Sequence, residues 1–232
     1  MIRTQTVFTA TATALLTLTV AACGGDSGDT SADAAATDNA ETEVAAEVPS
    51  AFADVNPGSY ELENTHASLL WKISHNGLSY YTARFTSFDA TLELAAEDPT
   101  ASSVSVSIDP TSVRTDHPDG DEWDAELANG AQFFNAGSFP EITFVSTDIT
   151  ATGDTNGLII GDLTMLGTTL PVTLEANFNG AASPPWYEGR NVIGFSAVGT
   201  IKRSDFGMDA LIPNIGDEVE IIVEAEFLES AS

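Results

Sequence analysis

The chain is poor in cysteine and in basic residues. Its 232 residues include one cysteine, Cys23, and seven Lys or Arg against 35 Asp or Glu, which gives a formal net charge of -28. A lone cysteine has no partner for an intramolecular disulfide, so the hydrophobic core alone must stabilise the folded part. A surface without a basic stripe does not neutralise a phosphate backbone, which argues against a nucleic-acid partner.

Residue patterns that support metal binding or catalysis are also scarce. The three histidines, at positions 66, 75 and 117, follow no metal-binding spacing, so we expect no metal and no cofactor. The acidic residues between positions 116 and 126 lack the alternation of a calcium loop and favour a solvated helix start. GFSAVG, around Ser196, lies within a predicted strand rather than at a strand-to-helix turn, and therefore predicts no nucleophile. We therefore expect no catalytic residue and no enzymatic activity.

Residues 1–22 are typical of a secretory signal peptide. They begin with one cation, Arg3, and continue without charge, over a length too short for a comfortable membrane span. Cys23 follows directly in the sequence VAAC, which resembles a bacterial lipobox, where cleavage exposes the cysteine for acylation. An ordinary signal peptide with an incidental thiol is the alternative. We expect Cys23 to be lipidated and to anchor the protein to a membrane of the bacterial envelope, facing the periplasm.

A disordered acidic tether is predicted after the cysteine, so that residues 23–57 form the lipidated cysteine and the tether. Residues 24–57 carry eight Asp or Glu, no Lys or Arg and little apolar surface to offset the entropy of ordering. The folded domain is predicted at residues 58–232, with 27 acidic residues against six Lys or Arg. Because such a domain is repelled by an anionic membrane, a lipid anchor is the favoured attachment.

The folded part alternates apolar and polar residues with period two, which predicts half-buried strands. In the last of these segments, Val219, Ile221 and Val223 share one face, opposite Glu220 and Glu224. Such strands favour an antiparallel sheet, and closing eight of them removes the exposed edges. We predict an all-β fold, an eight-stranded antiparallel barrel with one or two short helices, with a sandwich as the alternative. The predicted strands are residues 69–75, 88–94, 104–108, 142–150, 157–166, 170–178, 192–202 and 219–227, with a short additional strand at 60–63.

Two segments are predicted to be helical. In DGDEWDAELANGAQFF, Trp123 and Leu127 are four residues apart before a glycine, which is typical of a short amphipathic helix lying across a barrel end. One further helical turn is predicted at residues 79–83.

The connection RSDFGMDALIPNIGDEV, residues 203–219, is unusually apolar for a surface loop. Its side chains include Phe206, Met208 and Leu211, which predict either a lid over the barrel mouth or a plug that completes the core. Arg203 is expected either to fix this loop by local pairing or to hold an anionic diphosphate head group.

Nine short stretches in this order resemble the YceI-like family of bacterial periplasmic proteins, also described as polyisoprenoid-binding proteins with a lipocalin-like barrel. The resemblance covers nearly everything after Ser59, but Leu166 and Leu170 stand where family members commonly carry a histidine and a lysine. It is carried by YELENTHAS (60–68), HNG (75–77), RF (84–85), IDPTSVRT (108–115), FFN (133–135), FPEITF (139–144), GDLT (161–164), GF (194–195) and KRSDFGM (202–208), together with Phe88.

The resemblance implies that an isoprenoid lipid, such as a polyisoprenoid or the tail of a quinone, binds inside the barrel for carriage or storage. His75, at the end of an inward-facing strand, is a candidate hydrogen-bond partner for a quinone head group. A structural or stress-related envelope lipoprotein with a filled barrel, an enzyme acting on an amphipathic lipid and a homodimer remain open alternatives. The predicted ligand-binding residues are Leu69, Trp71, Ile73, His75, Phe88, Phe144, Phe195, Phe206 and Met208.

Overall fold

The computed structural model describes residues 50–231. The predicted signal peptide, Cys23 with its lipidation, and the part of the tether before residue 50 lie outside the described residues. Among the described residues, no helix is both long and apolar enough to cross a membrane.

Within residues 50–231 the fold consists of eleven antiparallel segments and one α-helix, with short 3-10 turns between them. The helix, α1, comprises Gly120–Asn129. The strands are β1 Gly58–Leu62, β2 Ser68–His75, β3 Ser79–Phe85, β4 Phe88–Leu94, β5 Ser103–Ile108, β6 Val113–Arg114, β7 Ile142–Ala151, β8 Asn156–Met165, β9 Thr168–Ala182, β10 Val192–Lys202 and β11 Ile215–Glu229.

These eleven segments occupy eight positions around a closed barrel. β1 and β2 follow one another along β11, with Leu62 opposite Phe227 and Leu69 opposite Val223. In the same way, β3 and β4 lie end to end beside them, and β5 and β6 lie end to end beside those. Five unbroken strands, β7 to β11, complete the ring, and β1 pairs with β11 to close it. The predicted eight-stranded antiparallel barrel with a short helix is confirmed.

The short 3-10 turns and bends that interrupt three of the eight strands keep their backbone groups hydrogen-bonded. The N–H of Thr86 donates to the carbonyl oxygen of Ser112 at 3.1 Å, and that of Asp109 donates to Ser87 at 3.0 Å. The N–H of Glu63 donates to the carbonyl oxygen of Glu226 at 2.8 Å. These hydrogen bonds connect neighbouring segments across the breaks.

One predicted element is wrong. Residues 79–83, expected to form a helical turn, belong to strand β3, which pairs with β2 along its whole length. Asn76 and Gly77 both have positive φ, 53° and 66°, in the turn between the two strands. An Asn-Gly pair with this geometry closes a tight hairpin, and the hairpin overrides any local helical preference.

The tether prediction extends too far toward the domain. Within residues 50–57, which were expected to be disordered, Phe52 and Val55 are 8% and 6% exposed. The ring of Phe52 stacks on Phe178 with centroids 4.3 Å apart. Tyr60 Oη donates to the carbonyl oxygen of Asn56 at 2.6 Å, which fixes this segment to β1, and burial raises the pKa of Tyr60. Two large apolar side chains in an acidic stretch are enough to bring the segment into the core.

Helix α1 lies where the predicted amphipathic helix was expected. Buried Asp124 accepts hydrogen bonds from the N–H and the hydroxyl group of Thr115, at 3.0 and 2.7 Å. These bonds fix the helix to the end of β6, and Leu127 on the same helix is buried in the core. The helix ends at Asn129, and the N–H of Gly130 donates to the carbonyl oxygen of Glu126. One end of the barrel is thus covered by this helix, and we call it the helix end; we call the opposite end, which carries Phe52, the N-terminal end.

Candidate binding site in the barrel interior

Two apolar cavities lie inside the barrel, one toward each end. The cavity toward the N-terminal end has a volume of about 210 Å³, and we call it the N-terminal chamber. The cavity toward the helix end has a volume of about 380 Å³, and we call it the helix-end chamber. Ligand-binding cavities in proteins typically measure 300–1,000 Å³, so the larger chamber alone is within that range.

The N-terminal chamber is lined by the inward faces of most of the barrel strands. Period-two alternation places every second side chain inside, so that on β11 Val223, Ala225 and Phe227 all contact this space. Its wall also includes Phe88, Leu92, Phe144, Leu174, Phe178 and Phe195. Phe52 contributes to the same wall from outside the strands.

The helix-end chamber is more aromatic and is bounded by α1 and by the loop after β10. Trp123 and Leu127 reach it from α1, and Met208 and Leu211 reach it from the loop. Its wall also includes Trp71, Ile73, Tyr81, Phe85, Phe133 and Phe134. The ring of Phe134 packs edge-on against Trp71 and Phe85, with centroids 6.3 and 5.2 Å away.

Three side chains belong to the walls of both chambers: Leu69, Ile108 and Ile221. They lie on β2, β5 and β11, and we call them the neck. Leu69 and Ile108 are buried, at 7% and 8% exposed. The two chambers are therefore adjacent and have these three side chains between them.

The predicted ligand-binding residues are distributed over both chambers. Leu69 lies at the neck, and Phe88, Phe144 and Phe195 line the N-terminal chamber. Trp71, Ile73, His75 and Met208 line the helix-end chamber. Phe206 does not line either chamber: it is 3% exposed and packs in the core beside Val219 and Ile201. The 3-10 turn Arg203–Phe206 directs this ring into the core before the loop reaches the barrel mouth.

The loop after β10 is organised around a buried guanidinium group. Arg203 is 4% exposed, and it donates to the carbonyl oxygens of Gly216, Met208, Ala210 and Ile215 at 2.8, 2.9, 2.8 and 3.1 Å. Burial lowers the pKa of Arg203, and the nearby carboxylates of Asp217 and Asp209 oppose this effect. All four acceptors belong to the loop and its return into β11. The side chain therefore holds the loop closed through four of its five N–H donors.

A second contact fixes the start of the same loop. The backbone N–H of Ser204 donates to Asp217 Oδ1 at 3.0 Å, and its hydroxyl group donates to Oδ2 at 2.9 Å. The backbone hydrogen bond, which outweighs the opposing effect of burial, and the hydroxyl bond lower the pKa of Asp217. Arg203 and Asp217 thus close the loop from its two ends.

Several polar groups on the wall of the helix-end chamber have hydrogen-bond partners within the protein. Trp123 Nε1 donates to Tyr81 Oη at 3.1 Å, and His117 Nδ1 accepts the N–H of Asp119 at 3.1 Å. His75 Nδ1 lies 3.1 Å from Asn76 Nδ2. Within residues 50–231, the side-chain atoms that are buried without a hydrogen-bond partner are Trp71 Nε1 and Ser230 Oγ. Trp71 lines this chamber, so its indole N–H is a buried donor on an otherwise largely apolar wall.

One further cluster lies on the outer surface, at the break between β1 and β2. His66 Nδ1 is 2.6 Å from Glu63 Oε2 and 3.7 Å from Glu226 Oε2. Burial raises the pKa of Glu63, but hydrogen bonds from Thr65 and His66 outweigh it and lower that pKa overall. The ligand atoms of Glu63, His66 and Glu226 lie within 4.8 Å of one another, close enough to hold a metal ion, but none of these residues lines a chamber.

Several lining residues were missed by sequence reasoning. Tyr81 and Phe85 lie on the strand that was assigned to a helical turn, and Phe52 lies in the segment that was assigned to the tether. Phe133 and Phe134 follow α1 and carry no strand periodicity. The Asn76-Gly77 turn was the available signal for the first pair, because it requires a strand on each side.

Comparisons with known proteins agree with the barrel. A family model for the YceI-like domain matches residues 60–227. A UPF0312 protein of Pseudomonas putida is 39% identical over 146 residues, covering 63% of this chain and 73% of that protein. Protein YceI of Salmonella arizonae is 37% identical over 164 residues, covering 71% of this chain and 82% of that protein.

Two solved structures share the fold at low sequence identity. The crystal structure of Burkholderia cenocepacia BcnA matches with a TM-score of 0.63 and 20% identity, over 71% of this chain and 98% of that one. A polyisoprenoid binding domain from Saccharophagus degradans, implicated in plant cell wall breakdown, matches with a TM-score of 0.55 and 15% identity, over 75% and 100% of the two chains.

Proposed function

The chain belongs to the YceI-like family, and from this premise and the chambers described above we propose that it binds an isoprenoid-type lipid inside the barrel. The ligand is a polyisoprenoid or an isoprenoid quinone, and the protein carries or stores it without reacting with it. The solved domain from Saccharophagus degradans, which is named for polyisoprenoid binding, supports this ligand class through its shared fold.

The observation that carries the proposal is the pair of adjacent apolar chambers that share the side chains of Leu69, Ile108 and Ile221. Burying a hydrocarbon chain yields about 0.8 kcal/mol per methylene group, so a long tail is bound by a long dry space without specific polar contacts. A compact ligand needs only one chamber, whereas a chain that passes the neck uses both. The open volume also disfavours the alternative of a structural protein with a filled barrel.

The electrostatics of the helix-end chamber favour an uncharged head group. Arg203 is the basic residue on its wall, and its hydrogen bonds go to carbonyl oxygens of the loop. An anionic diphosphate buried there would have no free cation beside it, and burying an unpaired charge is costly. The proposed head group is therefore a neutral quinone or alcohol, with His75 as its candidate hydrogen-bond partner, in preference to a diphosphate held by Arg203.

The proposed location is the bacterial envelope, facing the periplasm. The signal-like residues 1–22 and the lipobox-like sequence before Cys23 support export and acylation. Mass spectrometry of the N-terminal peptide tests this assignment, because acylation adds the mass of the lipid to Cys23. Release of a Cys23→Ser variant from membranes is the expected companion result. An unmodified Cys23 in protein from the native host would contradict the anchor.

Mass spectrometry of organic extracts from the full-chain protein, purified from its own host, tests the binding proposal. An isoprenoid lipid is expected in the wild-type extract and to be strongly reduced in Ala197→Phe, which fills the N-terminal chamber. Val198→Phe is the matched control, since the neighbouring Val198 is 43% exposed on the outer wall. Absence of isoprenoid from the extract, together with no binding of added isoprenoid quinone, would overturn the proposal. Recovery of the quinone with an altered mass would instead indicate an enzyme.

A further inference from the structure

The exposed apolar side chains are unevenly distributed over the barrel. Within residues 50–231, seven large apolar side chains are exposed, and four of them lie at the helix end. These are Leu78, Tyr80, Leu211 and Ile212, at 87%, 68%, 56% and 38% exposed, and we call them the rim. Val145 and Val198 lie singly on the outer wall, and Trp186 lies on a loop at the N-terminal end. Single exposed apolar residues are ordinary, whereas a cluster at a cavity mouth marks an interaction surface.

The rim is one continuous structure although it comes from two parts of the sequence. Leu78 and Tyr80 belong to the β2–β3 hairpin, and Leu211 and Ile212 belong to the loop after β10. The two parts are joined because the N–H of Asn76 donates to the carbonyl oxygen of Asn214 at 2.5 Å, and because His75 pairs with Ile215. The hydrogen bonds of Arg203 to Met208 and Ala210 hold the loop in this position. These hydrogen bonds therefore fix the backbone of both segments while the rim side chains remain exposed to solvent.

The rim is also continuous with the helix-end chamber. Leu211 is 56% exposed to solvent and at the same time lines the chamber. His75, the last residue of β2, lines the chamber directly before the turn that carries Leu78. An apolar path thus leads from the outer surface, over the rim, into the space assigned to the lipid.

We propose that the rim docks onto the surface of a lipid bilayer, and that the ligand enters and leaves the helix-end chamber there; this inference rests on the proposed function. A lipid tail is nearly insoluble in water, so a binding protein that opens at the bilayer avoids exposing the tail. Tyr80 suits such a position because its ring has an apolar body and a polar tip, which is the character of side chains at membrane interfaces. If the rim instead binds a protein partner, the vesicle test below should show no fluorescence shift at position 78.

The charges near the rim favour a bilayer without net charge. The domain is strongly acidic, and Asp209 lies on the rim loop itself. Lys72 lies 5.1 Å from the Tyr80 ring centroid, but its Nζ is paired with Glu220 Oε1 at 2.7 Å. An anionic bilayer would be repelled, whereas zwitterionic phosphatidylcholine leaves the apolar contact unopposed.

Docking is tested with site-specific fluorescent labels on the full chain. In a Cys23→Ser background, Leu78→Cys or Val198→Cys carries one environment-sensitive fluorophore, and phosphatidylcholine vesicles are added. A blue shift, with quenching by brominated lipids, is expected at position 78 and not at position 198. No shift at position 78, or equal shifts at both positions, would overturn the proposal. Because both proteins share the same N-terminal residues, binding through those residues does not produce the difference.

Ligand entry is tested by comparing Leu78→Ser/Ile212→Ser with Val145→Ser/Val198→Ser. The probe is a fluorescent isoprenoid alcohol supplied either in phosphatidylcholine vesicles or in detergent solution. Loss of two apolar anchors should slow uptake from vesicles by about tenfold or more for the rim variant only, with affinity in detergent solution unchanged. If all three proteins take up the probe from vesicles equally fast, the rim proposal fails and the binding proposal stands. If the wild type does not bind the probe in detergent solution, both fail.

Discussion

The guanidinium group of Arg203 donates a 2.9 Å hydrogen bond to the carbonyl oxygen of Met208, a residue whose side chain lines the helix-end chamber. The residue that closes the loop is thereby connected directly to a wall of the candidate site. The position of the loop at the chamber mouth consequently depends on this buried cation.

Replacing Arg203 with Lys should loosen the loop and destabilise the domain by about 2–4 kcal/mol, because an ammonium group cannot reach four carbonyl oxygens spread along the loop. Urea unfolding measures the free energy, and limited proteolysis within residues 207–214 measures loosening of the loop. Lys202→Ala, next to it on the exposed face, is the control and should change stability by less than about 0.5 kcal/mol. Equal urea-unfolding midpoints for Arg203→Lys and Lys202→Ala would show that the hydrogen bonds to the carbonyl oxygens do not stabilise the loop.

The neck should set the length of chain that is bound tightly. Ile221→Phe narrows the passage between the chambers at a cost in stability of about 1–3 kcal/mol. Long-chain isoprenoid quinones should then lose about tenfold or more in affinity, while analogues short enough for one chamber should not, because each methylene kept out of the barrel forfeits about 0.8 kcal/mol. Titration of a chain-length series measures this.

Ile222→Phe is the control for the neck, since Ile222 lines neither chamber and has the same size and the same strand. A uniform loss of affinity at every chain length in the Ile221→Phe protein would contradict a passage that selects for length.

Gly161 is required by a close approach between β7 and β8. A Cβ atom at this position would collide with the ring of Phe144 and lie 2.7 Å from the carbonyl oxygen of Val145. Gly161→Ala should therefore displace Phe144 from the wall of the N-terminal chamber and cost about 1–3 kcal/mol. Thermal unfolding and ligand titration measure the two effects.

Gly137→Ala provides the comparison, because a Cβ atom there meets nothing within 4 Å. Identical melting temperatures for the two alanine variants would show that displacing Phe144 does not destabilise the domain.

Stability in acid should depend on Asp217. Its pKa in the folded protein lies below the ordinary value of 3.8, so its hydrogen bonds to Ser204 stabilise the fold at any pH above that value. As the pH falls through the lower, folded-state pKa, the carboxylate is protonated and this stabilisation is lost. The stability difference between wild type and Asp217→Asn should be constant above about pH 5 and should shrink in acid.

Unfolding midpoints measured from pH 2 to pH 7 test this expectation, with Glu218→Gln as an exposed neighbouring control. If the stability difference between wild type and Asp217→Asn grew toward low pH, the lowered pKa of Asp217 would be contradicted.

Much of the barrel was predictable because one physical rule governs it. Burial of one face imposes period two, and β4 and β10 begin and end at the predicted residues. The same rule places Ile221 and Val223 on the inner wall. β3 was not predicted as a strand because its outer residue Tyr80 is as apolar as its inner residue Tyr81, so the sequence shows no alternation there.

The remaining errors come from contacts between distant parts of the chain. Nothing local distinguishes Phe52 from a tether residue, because its burial depends on Phe178, far along the sequence. The composition of its loop predicted that Phe206 faces either the ligand or the core, and the 3-10 turn Arg203–Phe206 directs its ring into the core. Composition predicts which side chains will be buried, but the residues that bury them are known only from the three-dimensional fold.

The three interrupted strands break at the level of the neck. Leu69 follows the break between β1 and β2, and Ile108 precedes the break between β5 and β6. The ladder of hydrogen bonds is therefore discontinuous on this side of the wall, along the line where the two chambers meet. Because β7 to β11 run along the barrel without such a break, we expect the wall to deform more readily at the three breaks than on the opposite side as an occupant moves past.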